Sequence, residues 1–487
     1  MSARAVKRVA VVGSGVGGLA CAARLAHRGY AVDVYEKLSR CGGRAHVIED
    51  QGYCFDTGPS FVLMPDFYAE VYRDCGQEMA QRLPLLRLDT HYAVFYPDGR
   101  QVRVFHDEER TAEELERREP GAARRYRDFL RDTGAMYQAV KPLMYRQFTP
   151  AALADVRNLR LLPALQVGAT CWQLAGRYFR SEALRCLMTF ESMFIGVSPF
   201  SAPAFYSVIC YADHAQKLFH PRGGMYRIPA SLEAIGREKG CRYHYDCEIS
   251  GIRRESNGGF LLKQATNEYT ADAVVVNADL PYARQHLLQR RIAPYRYSCS
   301  VMLFYWGVRR PLAGLEHHNI FFAADVCANM RRIFEDSRWP EDPSFYVHVP
   351  TKTDPSLAPP GKEIVYVLVP VPNLRQAGAD PHAAVEKVRQ LVLEKLRQVC
   401  GVEVEQSIDV EHRFYPRDFI TRYNALYAAT FGLSHSLFQS AFFRPANTDP
   451  KLDGLYYVGC STQPGTGIPP VLAGSKIAAD LISARGG

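Results

Sequence analysis

A chain of 487 residues, 23% charged and 47% hydrophobic, is too long for one simple core and too apolar to be disordered. Its formal charge of +8 is mild for this length, and no arginine-rich arm or nucleic-acid-reading module accompanies it, so no nucleic-acid binding is expected. The thirteen cysteines are scattered, with no CxxC pair and no Cys/His run at zinc spacing, which argues for reduced thiols, a cytoplasmic setting and no metal. No run of 18 apolar residues is present, and polar N-terminal residues lead into the first strand without a signal-peptide pattern. The expectation is a protein that is soluble or lies on a membrane surface.

Arg8-Val9-Ala10-Val11-Val12 reads as a buried strand, followed by Gly13-Ser14-Gly15-Val16-Gly17-Gly18, a small-residue helix, and a second strand Ala31 to Tyr35 closed by Glu36. This is a nucleotide-binding βαβ unit. Gly13 permits the sharp turn, Gly15 clears space for a pyrophosphate, and Gly18 lets the helix pack close to the sheet. The helix N-terminus offers unpaired N–H groups to phosphate. Glu36, 18 residues beyond Gly18, stands where a carboxylate can accept from ribose hydroxyls. Lys37 follows it, then Gly42-Gly43-Arg44, a second close backbone approach with a guanidinium for a phosphate oxygen. Phe55-Asp56-Thr57-Gly58-Pro59-Ser60 has loop composition, and read alone it is a turn after a strand. Placed after a βαβ unit, these segments favour an FAD-type site over a nicotinamide dehydrogenase.

Tyr92 to Phe105 reads as a hairpin about Pro97-Asp98-Gly99-Arg100. Residues 108–194 read as helical and arginine-rich. There Leu161, Leu165, Gly168, Trp172, Ala175 and Phe179 recur at helical spacing, flanked by Arg157, Arg160, Arg177, Arg180 and Arg185. Such an amphipathic helix suits a membrane interface, but a core-facing helix has the same periodicity and is the commoner explanation. Gly223-Gly224-Met225 ends the region and precedes a helix to Lys239. Strands follow at Arg242 to Ile252, Phe260 to Gln264 and Thr270 to Asn277, then Ser300 to Val308, Asn319 to Ala323, Ser344 to Val349 and Glu363 to Val371. His382 to Cys400 is an amphipathic helix. Leu455-Tyr456-Tyr457-Val458-Gly459 is a strand, Cys460 to Pro470 a glycine- and proline-rich loop, and Val471 to Ile482 a helix whose N–H groups could face a second anionic or electron-rich site.

Glu191 and Asp213 are acids in apolar runs, read either as buried carboxyls with raised pKa or as ordinary surface or capping acids. His214, His220 and His244 read as structural.

These motifs together resemble the carotenoid desaturase family of flavoproteins, the phytoene and diapophytoene desaturases. The resemblance rests on Val11 through Leu19, Gly42-Gly43-Arg44, Asp56 to Ser60, Pro221 to Met225, Gln439 to Pro445, and Leu455 through Pro469. It implies an α/β fold: a discontinuous Rossmann-type FAD-binding domain of the amine oxidase kind, a mixed-sheet substrate domain and a helical membrane-associated insertion. The corresponding boundaries are 1–90, 226–290 and 436–487 for the FAD-binding parts, 91–225 for the substrate and helical membrane-associated region, and 291–435 for the substrate domain. The resemblance places FAD at Gly13, Gly15, Gly18, Glu36, Lys37, Gly43, Arg44, Gly58, Pro59, Ser60, Gly459, Thr466, Gly467 and Ile468. It further implies a hydrophobic C30 or C40 polyene as substrate, quinone or oxygen as electron acceptor, and a monotopic, peripherally membrane-associated cytoplasmic enzyme. Asp213 and Glu191 are the candidate proton-handling acids. Gln463, where relatives commonly carry histidine, and Pro470 depart from the family pattern. Isomerase or saturase chemistry on the same fold, a flavin amine oxidase, and a non-catalytic isoprenoid-lipid binding protein are the alternatives.

Overall fold

A computed structural model describes residues 6–148, 165–375, 381–401 and 403–486. Its organising layer is a five-stranded parallel sheet in the order Leu455–Tyr457, Ala273–Val276, Arg8–Val12, Ala31–Tyr35, Arg242–His244. Parallel pairing requires crossovers, and here the strands come from three distant stretches of chain, so the domain is discontinuous. Alternation along the first strand assigns its two faces. Val9 and Val11 pack with Cys21, Leu25, Ala478 and Ile482 of helices Val16–His27 and Ile468–Gly486, whereas Ala10 and Val12 pack with Phe260 and Leu262 of a three-stranded meander.

The second layer is a seven-stranded sheet in the order Ile408–Phe414, Ser300–Val308, Glu363–Val371, Phe345–His348, His318–Phe321, Thr90–Phe95, Gln101–Phe105. All its pairings are antiparallel except His318–Phe321 with Thr90–Phe95. The hairpin at 92–105 therefore extends this seven-stranded sheet. The central strands are buried on both faces. Met302, Phe304 and Trp306, with Val365, Val367 and Val369, pack against Val385, Val388, Val392 and Leu396 of helix Pro381–Cys400. Each such side chain contributes roughly 1.5–3 kcal/mol when fully buried. The alternate residues Val301, Leu303, Tyr366 and Leu368 point the other way, into a cavity.

Four sequence expectations change, the first being that the strand expected over Thr270 to Asn277 is divided between Asn267–Ala271 and Ala273–Val276, in different sheets. The strand expected over Arg242 to Ile252 is two strands, Arg242–His244 and Gly251–Arg254, in different sheets. Asp246 adopts φ 50° between them, and the chain leaves the sheet so that Cys247 N–H donates to Glu36 O at 2.8 Å. The stripe through 165–185 is not one helix. Thr170 caps a short helix Cys171–Ala175, the chain turns at Gly176, and a second short helix, Glu182–Leu187, follows. Phe179 is buried against Phe129 between them, a core role; Leu161, Arg157 and Arg160 lie outside the described residues. The C-terminal helix begins at Ile468, three residues earlier than the pattern of apolar residues shows, because Pro469 and Pro470 suit its first turn. No helix among the described residues is long and apolar enough to cross a membrane.

Candidate active site

The glycine turn is held by short-range sterics. Gly13 has φ 99°, and a Cβ on Gly18 would lie 2.2 Å from Gly13 O and 2.9 Å from Asn277 Oδ1. The helix it opens, Val16–His27, has no side-chain cap and no acid in its first turn, so its N-terminal dipole faces the cavity uncompensated. Glu36 is buried and accepts from Ser14 N–H at 2.7 Å, Ser14 Oγ–H at 2.8 Å and Leu38 N–H at 3.0 Å. The carboxylate thus ties the end of the second strand to the turn as well as presenting oxygen to the cavity.

Gly42-Gly43-Arg44 docks beside this turn. Gly42 N–H donates to Ser14 O at 2.9 Å, and Gly43, at φ 57°, would set a Cβ 3.2 Å from Gly15 Cα. Arg44 donates from Nη1 to Cys460 Sγ at 2.9 Å, while its buried Nε–H has no partner among the described residues. An unpartnered guanidinium N–H and an uncapped helix end on one wall fit a diphosphate. Gly58 runs so close to Arg44 that a Cβ would lie 2.1 Å from Arg44 O. Pro59 and Ser60 continue the wall, and Ser60 Oγ accepts from Tyr346 OH at 2.7 Å. Asp56, just before, accepts from Met225 N–H at 2.7 Å and Tyr226 N–H at 2.9 Å, and burial pushes its carboxyl up to about 7.

The wall is completed from the C-terminus by Gly459, Thr466, Gly467 and Ile468. Gly459 and Gly467 have φ 139° and 99°. Pro469 and Pro470 remove two first-turn N–H groups, leaving Gly467 and Ile468 as donors, so this helix end offers fewer amides than a generic one. Lys37 stands at the rim, donating to Thr421 O and Asn424 Oδ1, both at 2.8 Å. Gln463 is buried but not on the cavity wall. Its amide binds both Phe148 N–H, at 2.7 Å, and Phe148 O, at 3.0 Å, bracing the preceding segment against the loop.

Asn277 and Asp279, legible in sequence only as the polar end of a strand, and Cys460, legible only as the start of a loop, all line the cavity. Asn277 donates to Val458 O at 2.9 Å, and its Oδ1 has no partner among the described residues. Asp279 accepts from Ser461 Oγ–H at 3.2 Å, and burial raises its carboxyl above the usual range while the Arg44 guanidinium opposes the shift. The available signal was their position at the C-terminal end of a parallel strand, where α/β sheets bind ligands.

Asp213 and Glu191 come together one layer behind the cavity, whose wall is formed by their neighbours Phe190, Met193, Phe194 and Ile209. Both are buried; His91 Nδ1 lies 3.5 Å from Asp213 Oδ1, and His214 Nε2 lies 3.7 Å from Glu191 Oε1. Burial pushes Asp213 up to about 7, and burial with the nearby Asp213 charge raises Glu191 well above the carboxylate range. The buried-acid reading of these two residues matches their surroundings; contact with a ligand in the cavity is not what their position provides.

One continuous cavity therefore joins the glycine motifs to the apolar face of the seven-stranded sheet. Its charged lining residues are Glu36, Lys37, Arg44, Glu248, Asp279 and Arg422, the last with its guanidinium 5.0 Å from the ring centre of Phe414 at the end of the sheet's outer strand. The face formed by Phe190, Val301, Leu303, Ile320, Leu368 and their neighbours carries none.

The model of the family "Flavin containing amine oxidoreductase" matches residues 16–483. The chain is 39% identical to "zeta-carotene-forming phytoene desaturase" of Myxococcus xanthus, covering 98% of this chain and 94% of that one. It is 32% identical to "4,4'-diapophytoene desaturase (4,4'-diapolycopene-forming)" of a Methylomonas species, covering 98% and 96%. Among solved structures it is similar to cyclohexylamine oxidase from Brevibacterium oxydans, with TM-score 0.62, 16% identity and 99% of each chain covered, a likeness of fold. The chain is an FAD-dependent oxidoreductase that belongs to the flavin-containing amine oxidoreductase family, in its carotenoid desaturase branch.

Proposed function

We propose that the protein desaturates a long isoprenoid polyene, phytoene or its C30 counterpart diapophytoene, in carotenoid biosynthesis. The observation that carries this reading is that, among the described residues, the cavity face formed by Phe190, Val301, Leu303, Ile320 and Leu368 carries no charged side chain. An amine substrate needs a partner for its nitrogen, whereas a hydrocarbon needs only apolar area, at about 25 cal/mol per Å² buried. The relatives named for phytoene and diapophytoene desaturation, at 39% and 32% identity, support the same class.

FAD, when bound, supplies the two-electron acceptor that removal of hydrogen from adjacent carbons requires. Gly13, Gly15, Gly18 and Glu36 would hold its adenosine end, Gly43 and Arg44 its diphosphate, and Gly459, Thr466, Gly467 and Ile468 its ring end. Lys37 closes the rim, while Gly58, Pro59 and Ser60 back the middle of the site. The sheet face orients the polyene and excludes water. Asp213 and Glu191 act from behind Phe190 and Ile209 as positioning residues, their protonated forms keeping charge away from the wall. The substrate enters from a membrane surface to which the protein attaches peripherally from the cytoplasm, a reading that the exposed rings of Phe438 and Phe443 favour, 5.8 Å apart and 76% and 48% exposed. Quinone or oxygen reoxidises the cofactor.

The test is to supply phytoene or diapophytoene in liposomes to the FAD-loaded protein. Flavin bleaching without air and a red-shifted polyene product are expected. Isomerised or saturated product, or bleaching by an alkylamine and not by either polyene, would overturn the proposal.

A further inference from the structure

Away from the cavity, three histidines from three strands meet inside the protein. His220 lies in Phe219–Pro221, His317 directly precedes His318–Phe321, and His348 ends Phe345–His348. One ring nitrogen from each lies within 4.8 Å of the other two. They are 0%, 4% and 1% exposed. His317 and His348 approach through their Nε2 atoms at 3.0 Å, and His317 Nδ1 lies 2.7 Å from Thr353 Oγ1. Neither nitrogen of His220 has a protein partner among the described residues.

A hydrogen-bonded imidazole cluster explains the contact between His317 and His348. It does not explain His220, whose ring must carry at least one N–H and one lone pair, both left unpaired in the interior. We propose that His220, His317 and His348 form a three-histidine site for a first-row divalent cation of the zinc class. Tetrahedral zinc, with Zn–N of about 2.0–2.1 Å, sets ligand nitrogens about 3.3 Å apart, so His317 and His348 need move only a few tenths of an ångström. Donation of His317 Nδ1–H to Thr353 leaves Nε2 with its lone pair turned inward, the outer contact that orients a metal-binding imidazole. All three rings are buried, and a neutral imidazole presents a nitrogen lone pair to a metal. Asp354, itself buried, accepts from Gly223 N–H at 2.6 Å and acts electrostatically on His220, a nearby negative charge for a dication.

Three ligands leave a fourth position open. The site joins the strand before the Gly223-Gly224 turn to the substrate sheet. It is adjacent in sequence to His318, whose Nδ1 lies 2.7 Å from the Tyr346 OH that donates to Ser60 on the cavity wall. Occupancy would therefore brace that wall.

The experiment uses the full-length, FAD-loaded protein dialysed against zinc chloride and then metal-free buffer, with metal content measured by mass spectrometry. About one zinc per chain is expected, and loading with cobalt chloride should give tetrahedral ligand-field bands to the red of the flavin. His220→Ala and His348→Ala should each weaken zinc binding by at least about 100-fold while keeping flavin content, and His244→Ala should not. Should either variant fail to fold, the wild-type cobalt spectrum decides. Failure of the wild type to hold stoichiometric zinc or cobalt, or equal zinc in wild type and both folded variants, overturns the site.

Discussion

Replacing Glu36 by glutamine separates two roles that one side chain holds. In the structure its Oε2 takes Ser14 N–H and Ser14 Oγ–H, and its Oε1 takes Leu38 N–H. Glutamine keeps one acceptor oxygen and turns an NH₂ group toward the other partner, so either the Ser14 pair or Leu38 loses its bond. A hydrogen bond to a charged group contributes about 1.5–3 kcal/mol, and a buried N–H left unpaired costs about 1–3 kcal/mol. The apoprotein should therefore lose about 2–4 kcal/mol, seen as a lower urea midpoint with flavin absent. Because the turn that carries Gly13 and Gly15 is loosened, FAD affinity should fall as well, by about tenfold for each 1.4 kcal/mol. Titration of apoprotein with FAD, followed by flavin fluorescence, measures that loss. Apoprotein of unchanged stability with weakened FAD binding would refute the reasoning, leaving Glu36 as a ribose ligand only.

Gly18→Ala should abolish FAD retention, because its Cβ would lie 2.2 Å from Gly13 O and the turn cannot yield without opening; a wild-type flavin spectrum in the purified variant would contradict this. Leu368→Trp, on the cavity side of the sheet, should retain FAD and lower polyene turnover by more than about tenfold, since the indole fills space otherwise open to a ligand. The Asp213 carboxyl, raised from its ordinary 3.8 to about 7 by burial, makes the folded state the better proton binder. Its contribution to stability is present below about pH 4 and lost as pH rises to about 7, at up to about 1.4 kcal/mol per unit. Asp213→Asn should therefore show a shallower fall in urea midpoint between about pH 4 and 7 than wild type; parallel curves over that range would rule that out.

The sequence was most legible where local chemistry and fold agree. Gly13 to Gly18 could be read because the turn demands glycine for steric reasons contained in the segment and its next strand. The seven-stranded sheet was legible in its strands, though not in its order, because the pairing of Thr90–Phe95 with His318–Phe321 joins segments over two hundred residues apart. The 165–185 stripe misled because helical spacing survives when a chain folds into two short helices around a buried Phe179. Asp213 and Glu191 were recognisable as acids in apolar runs, but their place behind Phe190 and Ile209 depends on how the short segments pack. His220, His317 and His348 share no spacing motif. The absence of a metal motif in sequence therefore had no bearing on ligands that three strands bring together.

The edge strand Leu455–Tyr457 has a consequence for biogenesis. It pairs with Ala273–Val276, and the loop beyond it supplies Gly459, Thr466 and Gly467 to the cavity wall. During synthesis the strand Ala273–Val276 emerges about 180 residues before Leu455–Tyr457 can cover its edge. Until then the nascent chain exposes one unpaired row of backbone donors and acceptors beside a half-built pocket, an invitation to mispairing. A product truncated ahead of residue 455 lacks this edge strand and the cavity wall beyond it, and should be chaperone-bound or degraded rather than a weak enzyme.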